Sequence, residues 1–327
     1  MCTNLIPAIQ RIENGEPTGQ PIFHLSHNMP FHKNLWLPCG KCIACLTQRS
    51  LTRAVQIYAE LSINQDNAWF VTFTIDDEHL SDNYSVDKTQ MQLFWKRLRK
   101  KYPDLKIRYE QNSEYGSQTS RPHYHAAIFG LPIPDLELYS PGQNYGKQNQ
   151  KIAEINSLIG HAPQAATQAH AQYNSEIITN LWGLGSVLII PLTMASCLYI
   201  AQHTDKKIGG VIPNHELIVI NPTTGELIEE REPEAASRSC RPYIGADWFK
   251  KYGISDLYPG DFFLTPSGQK TRIPKAFDRE YEKACPELFK MVKQQREDNA
   301  VQLTRAQQEY QAKFNEVKQK QKKQRSF

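Results

Sequence analysis

The segment Arg121-Pro-His-Tyr-His-Ala-Ala-Ile-Phe-Gly130 constrains the fold of this chain more than any other. Bounded by Pro122 and Gly130, residues His123–Phe129 read as a strand. Residues two apart on a strand share a face, so His123 and His125 project together, about 6.6 Å apart along the chain. Tyr124, Ala126 and Ile128 then pack the opposite face. Around this strand the pattern mixes the two periods. Trp69–Ile75 alternates and is rich in β-formers, and Leu105–Glu110 alternates as another strand. Leu46–Ile63 repeats its apolar residues at helical spacing. Asp87 with Gln90 resembles a capping box ahead of a helix carrying Met91, Phe94, Trp95 and Leu98, which ends before Pro103.

Further on, the pattern predicts a short helix over Ser175–Trp182, a strand over Ser186–Ile190 and a helix opening near Thr193. Leu217–Ile220 and Glu226–Glu230, joined by NPTTG, read as a hairpin. Without regular β-α alternation, the expected class is α+β, with a largely antiparallel sheet of about five strands flanked by helices. Residues 1–45 read as a loop-dominated, cysteine-rich extension, 46–280 as the main domain, and 131–172 as a surface insertion poor in large apolar residues. From about Tyr281 to residue 327 the chain reads as a Gln/Lys-rich helical tail without a core-sized apolar face. A mean hydropathy of −0.57 and an apolar stretch at 184–201 broken by Pro191 exclude membrane and wholly disordered classes. The first residues lack the layout of a secretion signal, so a cytoplasmic, unsecreted protein is expected.

Two histidines on one face can converge on a metal, and a third ligand is available at Glu110 or Glu114. An oxygen ligand beside two imidazoles suits magnesium or manganese that must also hold a phosphate. On the helix after Thr193, Met194, Cys197, Leu198 and Ala201 form one apolar arc. Tyr199 lies opposite it, beside Gln202, His203 and Lys206. A tyrosine there is either solvent-facing or a nucleophile facing a site. Cys39, Cys42 and Cys45 in PCGKCIAC, with Cys2 as a fourth donor, read as a closed zinc site. The same spacing admits a metal-free thiol cluster or an iron–sulfur cluster. Trp95, Lys96, Arg97, Arg99 and Lys100, together with Arg121, are candidate contacts to single-stranded DNA, which needs cations for its backbone and aromatics for its bases. A basic run at a helix end is otherwise a solvated cap.

Taken together, RPHYHAAIFG and the downstream helical tyrosine resemble the HUH endonucleases of rolling-circle replication, with their HUH/RRM-like nuclease fold. In the order PCGKCIAC, FVTFTIDDEHL, SEYG, RPHYHAAIFG, the Tyr199 helix ending in Lys-Lys, and SRSCRPYIGADWF, residues 36–281 are similar to the replication initiation proteins of gokushovirus-type microviruses. The resemblance implies His123, His125 and Glu114, rather than Glu110, around magnesium or manganese, and Tyr199 as catalytic residue. It implies nicking of a single-stranded origin, a 5′-phosphotyrosine intermediate, and host helicase and polymerase as partners in the bacterial cytoplasm. Many relatives carry a second tyrosine four residues on, where this chain has His203. His203 could then serve as acid or base, with Lys206 as the nearby cation. A lone Tyr199 cannot alternate with a partner, so termination would need a second subunit, hydrolysis or a reset site. Two other classes fit parts of the pattern: a zinc-stabilised nucleic-acid-binding protein without nuclease activity, and a metal-dependent phosphodiesterase using water. Residues 301–327 hold seven basic against two acidic residues, which concentrates at this end the basicity hidden in a net charge of +4.

Overall fold

The computed structural model describes residues 2, 4–23, 30–116, 119–140, 171–208, 219–220, 223–228, 231–299 and 304–325. The chain separates into two compact units, residues 1–49 with 294–327, and residues 50–293. No helix among the described residues is long and apolar enough to cross a membrane.

The N-terminal residues are not loop-dominated. They form a three-stranded antiparallel sheet of β1 (Ile6–Glu13), β2 (Glu16–Phe23) and β3 (His32–Leu37), in the order β2-β1-β3. Asn14-Gly15 makes the first turn, with φ of 52° and 80°. That pair is what a two-residue hairpin with the right-handed strand twist demands. Pro17 and Pro21 obscured the alternation, but β2 is an edge strand, where a missing N–H costs little.

The second unit is built on one seven-stranded antiparallel sheet. Helix α1 (Ile43–Ile63) leads into β4 (Ala68–Thr74), followed by α2 (Lys88–Lys101), β5 (Arg108–Tyr115) and β6 (Pro122–Phe129). Then come β7 (Glu137–Ser140), β8 (Gln172–Asn174), α3 (Glu176–Trp182), β9 (Val187–Pro191) and α4 (Met194–Ile208). The short pair β10 (Val219–Ile220) and β11 (Leu227–Ile228) stands apart as its own hairpin, and β12 (Ala236–Arg238) joins the main sheet at one edge. The order is β12-β5-β6-β4-β9-β8-β7. The sheet has two strands more than the expected five; β7 lies within the stretch expected as an insertion, and β8 begins at its last residue. Leu131 and Ile133, from the same stretch, are buried in the core; its middle, 141–170, lies outside the described residues.

Alternation decides what each face of the sheet does. Val71, Phe73, Tyr124, Ala126, Ile128 and Ile189 face α2 and α3 and close on Met91, Phe94, Leu98, Ile178 and Trp182. Phe70, Ala127 and Phe129 face the other way, onto Ala54, Ile57 and Leu61 of α1 and Leu198 and Ala201 of α4. Asp87 caps α2 by accepting from the Thr89 N–H at 2.7 Å, and Ser175 caps α3 by accepting from Ile178 at 3.1 Å. α3 stops at Gly183, whose left-handed φ of 67° ends the helix. The outer side of α1, at Val55 and Ala59, meets Phe249, Phe277, Tyr281 and Phe289. Tyr281, Phe289 and Val292 are buried, so the start of the Gln/Lys-rich segment does present a core face. Helices follow at Lys275–Ala284, Pro286–Asp298 and Arg305–Arg325.

A buried ionic knot ties these layers. Glu60 on α1 accepts from Arg108 Nη1 of β5 at 3.2 Å and from the Gly245 N–H at 2.8 Å, and Arg108 also meets Asp247. Burial pushes the Glu60 carboxyl above its ordinary value, and Arg108 pulls it back.

Trp182 is fully buried and donates its indole N–H to the Thr74 carbonyl at 2.7 Å. Trp182→Ala removes both the bond and a large, fully buried side chain, so unfolding stability should fall by about 3–5 kcal/mol, read as a lower urea midpoint. An unchanged midpoint would count against this packing.

Candidate metal and tyrosine site

The face carrying the histidines is assembled by strand register. Glu114 of β5 stands opposite His123 of β6, and Asn112 stands opposite His125. On the other side of β6, Thr72 pairs with His125 and Thr74 with His123. The expected strand at Leu105–Glu110 in fact runs from Arg108 to Tyr115, and this extension places Glu114 within the sheet.

Each ligand candidate is aimed by a neighbour. His123 Nδ1 lies 3.3 Å from the Arg121 carbonyl, an acceptor that orients the ring so that Nε2 faces the site. His125 Nδ1 lies 3.0 Å from Thr72 Oγ1. The two Nε2 atoms face one carboxylate oxygen, Glu114 Oε2, at 3.8 and 3.9 Å. These distances are too long for hydrogen bonds. Three donors within 4.8 Å of one another, one oxygen and two imidazole nitrogens, fit a divalent cation between them. The second oxygen, Glu114 Oε1, is held by Asn112 Nδ2 at 2.9 Å and by His203 Nδ1 at 2.7 Å.

Helix α4 brings Tyr199 to the same carboxylate. Its hydroxyl donates to Glu114, and its ring meets His125 edge-on at 5.4 Å and His203 at 4.2 Å. It is half-buried rather than solvent-facing, because α4 is covered beyond the expected apolar arc; Ile200, for example, is fully buried. Burial, then the charge of Glu114 and the hydrogen bond to it, raise the Tyr199 phenol well above its ordinary value. Tyr199, His203, Glu114, His123 and His125 therefore form one cluster. Lys206 lies in α4, but its side chain is outside the described atoms.

Other expected residues lie elsewhere. Glu110, the alternative acidic ligand, sits four register pairs from Glu114, opposite Ala127, against Arg53 at 3.3 Å and Arg238 at 3.9 Å. Trp95 is not available to stack on a base. It is 2% exposed, stacked on Tyr109 with 4.0 Å between ring centroids, and donates to Gln111 at 2.5 Å. The α2 helix that carries Lys96, Arg97, Arg99 and Lys100 covers the face of the sheet away from the histidines. Lys96 and Lys100 are exposed there, Arg97 donates to the Leu181 and Trp182 carbonyls at the end of α3, and Arg99 lies over Tyr109. Arg121 bonds the Ile75 carbonyl at 2.8 Å and pairs with Asp77, bolting the end of β4 to β6. Asn112 and Thr72 were missed. Asn112 shares a face with Glu114 on period two, a signal the polar sequence RYEQNSEY concealed.

In the N-terminal unit, Cys2, Cys39, Cys42 and Cys45 also converge, with all four sulfur atoms within 4.8 Å of one another. Burial raises the Cys2 and Cys45 thiols above their ordinary values.

The model of the replication-associated protein ORF2 family matches residues 68–208, a span containing Glu114, both histidines, Tyr199 and His203. Over that span the chain is similar to that family. It is 29% identical over 273 residues to the replication-associated protein ORF2 of Spiroplasma virus 4, covering 80% of this chain and 73% of that one. It is 28% identical over 260 residues to the replication-associated protein VP4 of Bdellovibrio phage phiMH2K, covering 77% and 69%. The replication-associated protein ORF4 of Chlamydia phage 1 is 28% identical over 220 residues, covering 66% of this chain and 46% of that relative. No solved structure matches.

Manganese binding tests the cluster. Glu114→Gln and His123→Ala should each weaken the manganese Kd at least about tenfold by calorimetry, and Asn112→Ala, which removes only an orienting bond, by about 10–100-fold. Glu110→Gln should leave the Kd unchanged. Equal loss in all four variants would locate the metal elsewhere.

Proposed function

We propose that this protein initiates rolling-circle replication by nicking single-stranded DNA at an origin with Tyr199 as nucleophile. The observation that carries this reading is the shared carboxylate. Glu114 receives the Tyr199 hydroxyl, and one of its oxygens faces His123 and His125. A nucleophile and a metal-ligand set thus meet at one side chain.

In the reaction, Tyr199 Oη forms a bond to the scissile phosphorus, and the bond to the 3′ oxygen breaks. The tyrosine ends as a 5′-phosphotyrosine and the departing oxygen, once protonated, as a free 3′-OH able to prime synthesis. Magnesium or manganese, held by Glu114, His123 and His125, would supply Lewis acidity at the phosphate. Asn112 and Thr72 orient Glu114 and His125. Tyr199 keeps its proton until positive charge enters the site, because burial and Glu114 both oppose the phenolate. His203, bonded to Glu114 Oε1 one turn beyond Tyr199, is placed to exchange a proton with that carboxylate. It stands where a second tyrosine would allow alternate cleavage, so one covalent link at a time is expected. Termination then draws on a second subunit, water or a reset site. Helicase and polymerase of a bacterial host would extend the 3′ end in the cytoplasm.

The cysteine cluster offers softer donors than the Glu/His/His set, so different metals suit the two sites. Zinc suits the thiolates.

An origin oligonucleotide labelled at its 3′ end and incubated with manganese should yield a covalent adduct that runs with the protein on denaturing gels. Tyr199→Phe should abolish the adduct, and His123→Ala should slow its formation at least about a hundredfold. Cleavage without an adduct would establish attack by water instead. Tight binding without cleavage would make this a binding protein.

A further inference from the structure

Four cysteines outside the family-matched span remain without a part in that chemistry. Cys2 precedes β1, Cys39 follows β3, Cys42 leads into α1, and Cys45 lies in its first turn. The Cys2 sulfur is 3.6 Å from that of Cys39 and 3.8 Å from that of Cys42. In a tetrahedral site with metal–sulfur bonds of about 2.3 Å, the sulfur–sulfur edge is about 3.8 Å. All four are free thiols, so disulfides do not account for the convergence.

The backbone around the cluster is arranged for sulfur that carries negative charge. Asn4 and Cys39 direct their N–H groups to Cys2 Sγ at 3.4 and 3.3 Å, and Cys42 directs its own to Cys39 Sγ at 3.3 Å. The Gly40 N–H serves Cys45. Gly40 has φ of 74°, which lets the chain double back between Cys39 and Cys42. Arg49 donates to the Gly40 carbonyl at 3.3 Å, placing a guanidinium against this loop. A divalent ion with four thiolates carries a net charge of −2, which such a cation offsets.

We propose that Cys2, Cys39, Cys42 and Cys45 form a closed four-thiolate zinc site that holds the N-terminal unit in its fold. With every position taken by sulfur, no place is left for water or substrate, so the role is structural. The need is visible in the packing. Ala8 and Ile9 are the only buried strand residues among the described ones of β1–β3, while Ile22, Phe23 and Trp36 are exposed. So thin a core calls for a staple. The metal would tie the start of β1, the end of β3 and the first turn of α1 at one point.

The full-length protein, purified with reductant and without added metal, should contain about one zinc per chain by elemental analysis. A mercurial that titrates thiols should release that zinc as four cysteines react. Cys2→Ser and Cys42→Ser should each lose the zinc and lower the melting midpoint. Should these variants aggregate, protein produced with cobalt reports the ligands directly through thiolate-to-cobalt charge-transfer bands and tetrahedral d–d bands. His123→Ala should keep its zinc, which separates this site from the nicking reading. Protein free of metal with all thiols reacting at once would overturn the proposal. So would iron with acid-labile sulfide, or zinc lost from His123→Ala and retained in the cysteine variants.

Discussion

Burying a carboxylate is costly unless hydrogen bonds and cations answer it, and at Glu114, only 6% exposed, the answers come from two strands and a helix. Asn112 and His203 hold one oxygen, and His123 and His125 face the other. The side chain is thereby fixed in direction, with one oxygen given to the protein and the other turned toward a shared point. Tyr199 reaches the same group from α4. Without Glu114 the histidines would be two imidazoles on a strand and the tyrosine a half-buried phenol.

Such positioning requires a stiff support, and the sheet supplies it by dividing labour between its faces. Phe73, Phe94, Tyr124 and Trp182 interlock on the side away from the site, with ring centroids 4.7–6.3 Å apart. On the site side, the Glu60–Arg108–Asp247 knot joins α1, β5 and the segment around Gly245. Glu60 and Arg108 are the buried pair in it, and leaving either uncompensated would cost several kcal/mol. Both halves of β5 are therefore anchored, Arg108 at one end in the knot and Glu114 at the other in the site.

Much of this was legible in short stretches. His-Tyr-His on a strand puts two imidazoles on one face, and the period of α4 puts His203 one turn from Tyr199, whatever surrounds them. Other elements escaped for reasons particular to them. The N-terminal sheet was hidden by prolines that only an edge strand tolerates, although Asn14-Gly15 marked its turn. The β5 strand was misplaced because its buried face is polar, so hydrophobic alternation fades where the site begins. Trp95 reads in the sequence as a base-stacking residue, yet it lies buried against Tyr109. Helical period alone cannot say which face of a sheet a helix will cover.

The sequence by itself determined the local directions: which side chains share a face, where helices are capped, and which residues carry donors for a metal. Only the tertiary structure decided that Glu114 rather than Glu110 meets the histidines, that Tyr199 faces inward, and that Cys2 closes on cysteines 37 to 43 residues away. Local direction follows from backbone geometry within one turn or one pleat. Register, helix placement and chain closure depend on contacts between segments far apart in sequence, whose energies are settled only when the whole core packs.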